Sequence, residues 1–450
     1  MKRFLFLGLL GLFATADSNP GQEQPMNPYE ASARAILADL AAGNFDKVVA
    51  RYDEAMAAAL PLDKLTASWN GLVAQVGAFQ SITKVELEET GPYHIVYVTC
   101  AFEKIPLTLQ MTFNGKGQFA GFRSVAPRSG APWKAPDYTK PNTFDERSIT
   151  IHSGRWDLPG SLTIPKGHGP FPALVLVHGS GPNDQDETIG PNKTFKDLAF
   201  GLSSRGIAVL RYNKRTHQYG AKSSDDTNAF TVKDEVIDDA RAAVALLASS
   251  PDINPKRIYL AGHSLGAYLG PRIADGDPQI AGLILMAGNT RPIEDLVVEQ
   301  VRYQADQEGP ITPEAQKVID SAEQSAKEFR NPDLKPGMTV HLLGVEIPAS
   351  YVLDLRNYHP ADLAATLKIP ILVMQGGRDY QVRQADFDGW KKTLGSKPNA
   401  TFKPYSDLNH LFMSGTGPST PSEYLKPAHV PEIVISDIAA WIAAQAPASK

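Results

Sequence analysis

Cysteine is nearly missing from this chain. Cys100 is the only one among 450 residues, so no intramolecular disulfide can form and a metal site built on thiolates is excluded. His-Glu-x-x-His is absent as well, as are the phosphate-cradling Gly-x-x-x-x-Gly-Lys and the dinucleotide-binding Gly-x-Gly-x-x-Gly. Neither a cofactor nor a metal is expected. Basic runs are lacking, and the formal net charge of −5 is small for the length, which leaves no footprint for nucleic acid. What is present suits a globular soluble protein: 42% hydrophobic and 21% charged residues, on a chain long enough for two or three domains and a large core.

The amino terminus reads as a targeting segment. Lys2 and Arg3 precede an apolar stretch from Phe4 to Phe13, and Ala14-Thr15-Ala16 offers a small-x-small cleavage site before Asp17. Residues 1–16 are expected to be a signal peptide, with the periplasm or the medium as destination. A retained membrane anchor is the alternative, but the stretch is short for a bilayer span, so no stable insertion is expected after signal removal. No cysteine follows the stretch, and lipid attachment there is not available.

Residues 27–126 read as a small α+β domain. Tyr29, Ala33, Ile36, Leu37 and Leu40 recur at helical spacing, as do Phe45, Val48, Val49, Tyr52 and Met56, and then Leu65, Trp69, Leu72, Val73 and Val76. The period then changes to two. Ile105, Leu107, Leu109, Met111 and Phe113 alternate as a half-buried strand should, and Asn114-Gly115 reads as a hairpin turn. Cys100 falls in an apolar strand-like run and is expected to be buried. Three helices followed by an antiparallel meander suggest a sheet wrapped on helices. The layout resembles the small domain of unknown function found ahead of secreted hydrolases. It carries no catalytic constellation. Packing, dimerisation or substrate fencing fits it as well as binding does, and a homodimer is compatible with the sequence.

Pro127, Pro132, Pro136 and Pro141 make residues 127–143 an extended linker. From 144 to 450 the pattern is α/β. A hairpin, "SITIHSG" with "LPGSLTIP", comes first. Continuous apolar runs follow at 173–179, 206–212, 257–262, 281–288 and 369–377, with helical stretches such as 234–248 between them. That alternation predicts a mostly parallel sheet with helices on both faces and a site beyond the carboxyl ends of the strands. An insertion at about 292–345 breaks the rhythm. Its stripes, Ile293, Leu296, Val297 and Val301, then Ala315, Val318, Ile319, Ala322, Ala326 and Phe329, predict two amphipathic helices, either a cap over the site or a peripheral hairpin shielding an edge.

"YLAGHSLGAYLG", residues 259–270, places Ser264 after an apolar strand and before a helix, as a Gly-x-Ser-x-Gly elbow requires. A Cβ at Gly262 or Gly266 would collide with a neighbouring strand or helix. The helix N-terminus behind the serine offers N–H groups to a developing negative charge. His178-Gly179-Ser180-Gly181-Pro182 ends the first long buried strand. Its glycine turn can aim the Ser180 N–H at the same oxygen as the Leu265 N–H, which would make an oxyanion hole. "MQGGRDYQV" supplies Asp379 past a later strand, and "YSDLNHLF" supplies His410 after the last. Asp407, three residues before His410, competes for the role of acid. The order Ser264, Asp379, His410 is the one that α/β-hydrolases use, and Asp379 is favoured over Asp407 because that fold places the acid after the penultimate strand. His263 is expected to pack or bond locally. His94, His152 and His168 suggest surface or pairing roles, whereas His217, His341 and His359 could line the cleft; Tyr351 and Tyr358 could face the acyl pocket or equally be core aromatics.

At these residues the chain, from about 145 to 445, resembles bacterial α/β-hydrolases of the esterase and serine-aminopeptidase type, and residues 178–215 resemble a stretch characteristic of secreted esterases in that group. The resemblance implies a small N-terminal domain, a helical cap and a Ser-Asp-His triad. One departure is visible: Asn213 stands in "RYNKR", where relatives often carry an acidic residue. The expected activity is hydrolysis of short or medium acyl esters, with a small-molecule ester as substrate. A serine peptidase acting on small peptides is the alternative, with Glu299, Asp306 and Glu308 as candidate carboxylates for a substrate amine. With the triad and the oxyanion turn all present, a binding protein on an inactive hydrolase fold is disfavoured. A dienelactone hydrolase would need cysteine at the elbow.

Overall fold

The structure is a computed structural model that describes residues 26–90, 93–103, 106–125, 133–224, 226–307, 309–343 and 345–445. The expected signal peptide lies outside the described residues, as does the start of the linker. The chain divides into two compact units at Pro127.

The first unit runs α1 (Pro28–Ala41), α2 (Phe45–Val49), α3 (Glu54–Ala59) and α4 (Leu62–Val76), then β1 (Phe79–Thr90), β2 (Tyr93–Phe102), β3 (Pro106–Asn114) and β4 (Phe119–Val125). The strands form an antiparallel meander in chain order. Ile36, Leu37, Leu65, Val96, Met111 and Phe113 belong to its core. The stripe from Phe45 to Met56 is two short helices rather than one. Arg51 and Asp53 exchange backbone hydrogen bonds with Phe119 of the sheet, and the Asp53 carboxylate caps Met56 N–H at 2.8 Å, so the helix restarts there. The hairpin turn after Asn114 has Gly117, not Gly115, in the left-handed region (φ 75°). Cys100 is fully buried, and burial pushes its thiol up to about 12.

The second unit is built on β5 (Phe144–Ser153), β6 (Trp156–Pro165), β7 (Phe171–Val177), a minor pair β8 (Thr188–Ile189) and β9 (Asn192–Lys193), β10 (Ala208–Tyr212), β11 (Ile253–His263), β12 (Ile280–Met286), the hairpin β13 (Thr339–Leu342) and β14 (Val345–Pro348), β15 (Ile371–Gly376) and β16 (Ala400–Tyr405). Its helices are α5 (Thr194–Ser203), α6 (Arg215–Tyr219), α7 (Asp238–Ser249), α8 (Leu265–Ala274), α9 (Ile293–Gln307), α10 (Pro313–Arg330), α11 (Ala349–Leu355), α12 (Pro360–Thr366), α13 (Gln384–Leu394) and α14 (Glu432–Ala444). Eight strands form one sheet in the order β16-β15-β12-β11-β7-β10-β6-β5. The pairings from β10 to β16 are parallel, and the β5–β6 hairpin joins through an antiparallel β6–β10 pairing. Two separate apolar layers, one on each face, bury it. This is the α/β-hydrolase fold. Because β7, β11 and β12 are buried on both faces, their sequences are continuous apolar runs instead of alternating ones.

Three details depart from the sequence reading. The helix expected at 234–248 opens with a π-turn at Lys233–Ile237 before α7. Residues 133–143 are not free linker: Trp133 Nε1 donates to Asp197 at 2.9 Å, and Tyr138 donates its hydroxyl to the Val430 carbonyl at 2.7 Å. In the insertion, Ile319, Ala322, Ala326 and Phe329 are buried as their spacing requires, but Val318 is 46% exposed, and the chain adds β13 and β14 before α11. No described helix is long and apolar enough to cross a membrane.

Candidate active site

Ser264 sits at the end of β11, flanked in the sheet by β7 and β12, and begins α8. Its φ of 54° lies in the left-handed region, a conformation that costs a non-glycine residue of order 1 kcal/mol or more. The flanking glycines make that turn sterically feasible. A Cβ on Gly262 would overlap the backbone of Gly266, and one on Gly266 would overlap the Val177 carbonyl at the end of β7. The strand, turn and helix are packed backbone to backbone, which leaves the half-buried serine projecting from the carboxyl edge of the sheet.

Asp379 follows β15 and His410 follows β16, the next strands outward. Both are buried, 6% and 4% exposed. His410 Nδ1 lies 2.7 Å from Asp379 Oδ2. The other carboxylate oxygen accepts the Gln381 and Val382 N–H groups at 2.8 and 2.9 Å, and Gln375 Nε2 donates to Oδ2 at 3.1 Å. Asp379 is therefore fixed on both oxygens. Asp407 is exposed on the same loop and makes no comparable contact with His410. Of the two sequence candidates, the geometry pairs Asp379 with the imidazole.

His263 joins the elbow to His410. Its Nε2 lies 2.9 Å from the His410 backbone carbonyl, and the two rings are 4.8 Å apart. On its other side, Nδ1 stands 3.0 Å from Glu187 Oε2, at ion-pair distance. Burial alone would lower the His263 imidazole, but the Glu187 carboxylate outweighs it and holds the group above its ordinary value. Burial would likewise raise the Glu187 carboxyl, yet His263 and the Gly179 N–H keep it low.

The glycine turn expected to form an oxyanion hole follows β7. Gly179 packs so closely on Ser264 that a Cβ there would lie 3.2 Å from Cβ of Ser264. Its N–H is taken by Glu187 Oε1 at 2.7 Å. Asn183 Nδ2 reaches the carbonyls of Gly179, Ser180 and Gly181 at 3.2, 3.1 and 3.3 Å. Ser180 is exposed and Leu265 is 5% exposed. His178 is buried under the turn against Phe195 and Tyr212, and burial pushes its imidazole down to about 4.

The remaining candidates disperse. His94 stacks on Tyr29 in the first unit. His152 pairs with Asp157 on the exposed hairpin, His168 is exposed, and His341 faces Glu328 at 3.5 Å. His217 lies 3.3 Å from the Pro182 carbonyl, at the rim of the glycine turn after β7. Tyr268, Tyr358 and His359 line a cavity of about 400 Å³ with Ile293, Phe329 and Leu355, whereas Tyr351 donates its hydroxyl to buried Glu235 at 2.7 Å. Asn213 accepts the Gln185 N–H at 2.9 Å, bracing the loop behind the turn. Helix α9 leans on the loops that carry Asp379 and His410: Gln300 donates to the Gln381 carbonyl, Tyr303 donates to the Ser419 carbonyl, and the Tyr303 ring stacks on Tyr380. Among the described residues no cluster of His, Cys, Asp or Glu is arranged as metal ligands. Sequence reasoning missed Asn183, Glu187, Lys214 and Glu235. The only trace of them was polar and charged letters beside two motifs.

Residues 33–122 match a family described as a protein of unknown function, DUF3887. Esterase EstD of Thermotoga maritima is 40% identical over 415 residues, covering 92% of this chain and 95% of that protein. Among solved structures, Est1E from Butyrivibrio proteoclasticus superposes with a TM-score of 0.42 at 16% identity, over 66% of this chain and 99% of its own. Pyrococcus horikoshii acylaminoacyl peptidase does so with a TM-score of 0.45 at 15% identity, over 83% and 52%. With residues 174–420 matching the alpha/beta hydrolase family, the chain belongs to that family.

Proposed function

We propose that the chain is a serine carboxylesterase that cleaves esters of short to medium acyl chains, with Ser264 as nucleophile, His410 as base and Asp379 as its orienting acid. The observation that carries this reading is the buried 2.7 Å Asp379–His410 pair, fastened through His263 to the strained elbow that holds Ser264. Ser264 Oγ attacks the acyl carbon while His410 Nε2 takes its proton, and the Ser180 and Leu265 N–H groups receive the charge of the tetrahedral oxygen. His410 then protonates the departing alcohol. Water repeats the cycle on the acyl-enzyme, losing its proton to His410 and releasing the acid. Asp379 holds Nδ1–H and stabilises the imidazolium.

The 40% identity to an esterase over most of the chain supports ester over amide substrates. A peptidase would need a carboxylate for the substrate amine. Of the candidates, Glu299 is engaged by Arg291 at 2.7 Å and Arg383 at 3.0 Å, and Glu308 lies outside the described residues. Helices α9 and α10 are read as the cap, and residues 1–16 as an export signal. The deciding experiment compares turnover of p-nitrophenyl butyrate with that of aminoacyl p-nitroanilides, beside fluorophosphonate labelling. Ester turnover with an adduct on Ser264 is expected. Turnover of the anilides alone would overturn the esterase reading, and absence of an adduct would overturn the nucleophile.

A further inference from the structure

Lys214 follows the end of β10, in the "RYNKR" segment, and its side chain is 3% exposed. Its ammonium has three protons and three acceptors: the Gly179 carbonyl at 3.0 Å, the Gly181 carbonyl at 3.1 Å and Glu235 Oε1 at 3.0 Å. Glu235 comes from the π-turn that opens α7 and also accepts the Tyr351 and Thr216 hydroxyls. Burial would raise its carboxyl, but Lys214 and the hydroxyls outweigh that and keep it ionised. A buried ion pair is a poor source of stability, because desolvation offsets most of the attraction. Here the cation reaches past its counter-ion to two backbone carbonyls of one tight turn, and that placement calls for another explanation.

In a trans peptide the C=O and the following N–H point in opposite directions, and the Gly179–Ser180 bond is trans. Drawing the Gly179 carbonyl to Lys214 therefore turns the Ser180 N–H the other way. Glu187 has already removed the Gly179 N–H from service. Gly181, held by the same ammonium, has φ 89°, the left-handed conformation that closes the turn. A cation on the carbonyl also polarises that peptide, so its N–H becomes a stronger donor. We infer that Lys214 is a positioning residue of the oxyanion hole: beside the weaker reach of Asn183, it fixes the plane of the Gly179–Ser180 peptide so that the Ser180 N–H meets the tetrahedral oxygen. The inference rests on the serine-hydrolase reading above.

Such a residue acts when the charge forms, so its loss should lower kcat and spare KM. Deleting Lys214 alone strands Glu235, so the informative protein is the double variant Lys214→Met/Glu235→Gln, which removes both buried charges. Active sites are counted by the final stoichiometry of fluorophosphonate labelling, and p-nitrophenyl butyrate kinetics are expressed per labelled site. We expect kcat to fall roughly 100-fold, the lower end for loss of an oxyanion donor, with KM within about threefold. Inhibition by an aliphatic trifluoromethyl ketone, whose adduct carries the oxyanion, should weaken by a similar factor. Unchanged kcat per site and unchanged ketone affinity, even with a lower melting temperature, would make Lys214 merely structural and overturn the inference. If the double variant does not fold, Lys214→Arg is judged by the same criteria, since its planar fork cannot set one nitrogen between the same two carbonyls. Ser264→Ala, assayed beside them, separates the two failures: an active Ser264→Ala sinks the hydrolase reading, whereas an inactive one with an undiminished double variant sinks only the role of Lys214.

Discussion

Replacing Asp379 by asparagine tests the catalytic geometry most directly, because the surroundings dictate how the new amide must sit. Oδ1 of Asp379 accepts two backbone N–H groups, from Gln381 and Val382, so the carbonyl of an asparagine has to stay there. Its NH2 group then takes the place of Oδ2, facing His410 Nδ1 and also Gln375 Nε2, which is itself a donor. Flipping the amide would set NH2 against two backbone donors and is worse. His410 can satisfy this NH2 only by accepting at Nδ1, which puts its proton on Nε2, the atom that must take the proton from Ser264. The base is thus locked in the wrong tautomer while the fold persists. A wrong tautomer in this position costs about 10⁴ in kcat, or roughly 5 kcal/mol of barrier. Steady-state hydrolysis of p-nitrophenyl butyrate, with a melting curve to establish folding, measures it. Asp407→Asn, on an exposed residue, should stay within about twofold. An Asp379→Asn enzyme within tenfold of the parent, combined with an inactive Asp407→Asn, would transfer the acid to Asp407 and refute the argument.

Ser264→Ala should lose about 10⁵-fold or more in kcat and yield no fluorophosphonate adduct, while its melting temperature stays near that of the parent; retained labelling would place the nucleophile elsewhere. Gly266→Ala drives a methyl into the Val177 and His178 carbonyls, for an expected loss of about 3 kcal/mol or more together with activity, read by chemical denaturation; a stable, active variant would contradict the backbone packing of the elbow. His178 titrates near 6.5 when unfolded but only at about 4 when folded, so the stability it confers is complete above pH 6.5 and declines as pH falls toward 4, by about 3 kcal/mol over that window. In His178→Asn the change in unfolding free energy between pH 6.5 and 4 should shrink by about that amount, and an unchanged pH slope would show that the imidazole is not held neutral. Asp197 is fully buried and accepts from Trp133, His429 and the Val430 N–H, so Asp197→Ala should cost about 3 kcal/mol or more with kcat of the folded enzyme preserved; a normal melting temperature would show the segment from 133 to 143 to be loosely held.

The α/β layout was legible because a strand buried on both faces leaves an uninterrupted apolar run. The runs at 173–179, 257–262 and 369–377 fall on β7, β11 and β15, with ends within two residues except that β11 begins four residues earlier, at Ile253. Less was legible where tertiary contacts overrode local periodicity. The single stripe from Phe45 to Met56 predicted one helix, but it did not reveal that Phe119, more than sixty residues later, would hydrogen-bond to residues 51 and 53 and divide it. The prolines after 127 argued against helix and central strand, yet Pro141 opens a short 3₁₀ turn over Pro141–Thr143. They were silent about Trp133 and Tyr138, whose polar tips find partners at Asp197 and Val430. Val318 fits the apolar stripe of α10 by spacing alone, yet it is exposed; what a stripe covers depends on the partner's width, which spacing does not encode.

The site divides the same way, and the reason is chemical. A reaction that needs a nucleophile, a base and an oriented carboxylate constrains residue type, and the elbow constrains its flanks to glycine, so Ser264, Asp379 and His410 stand out in the letters. The groups that hold them are constrained only in position. Glu187 grips a backbone N–H, Lys214 grips two backbone carbonyls, and His263 stands at hydrogen-bonding distance from a third. Backbone atoms carry no side-chain signature, so nothing at Gly179 or His410 announces its partner, and any buried group of the right sign within reach would serve. Such residues become recognisable only when the fold shows a charge with no exposure. The buried charges around Gly179 concentrate on the peptides that flank Ser264, which is where a few tenths of an ångström separate a reactive serine from an ordinary one.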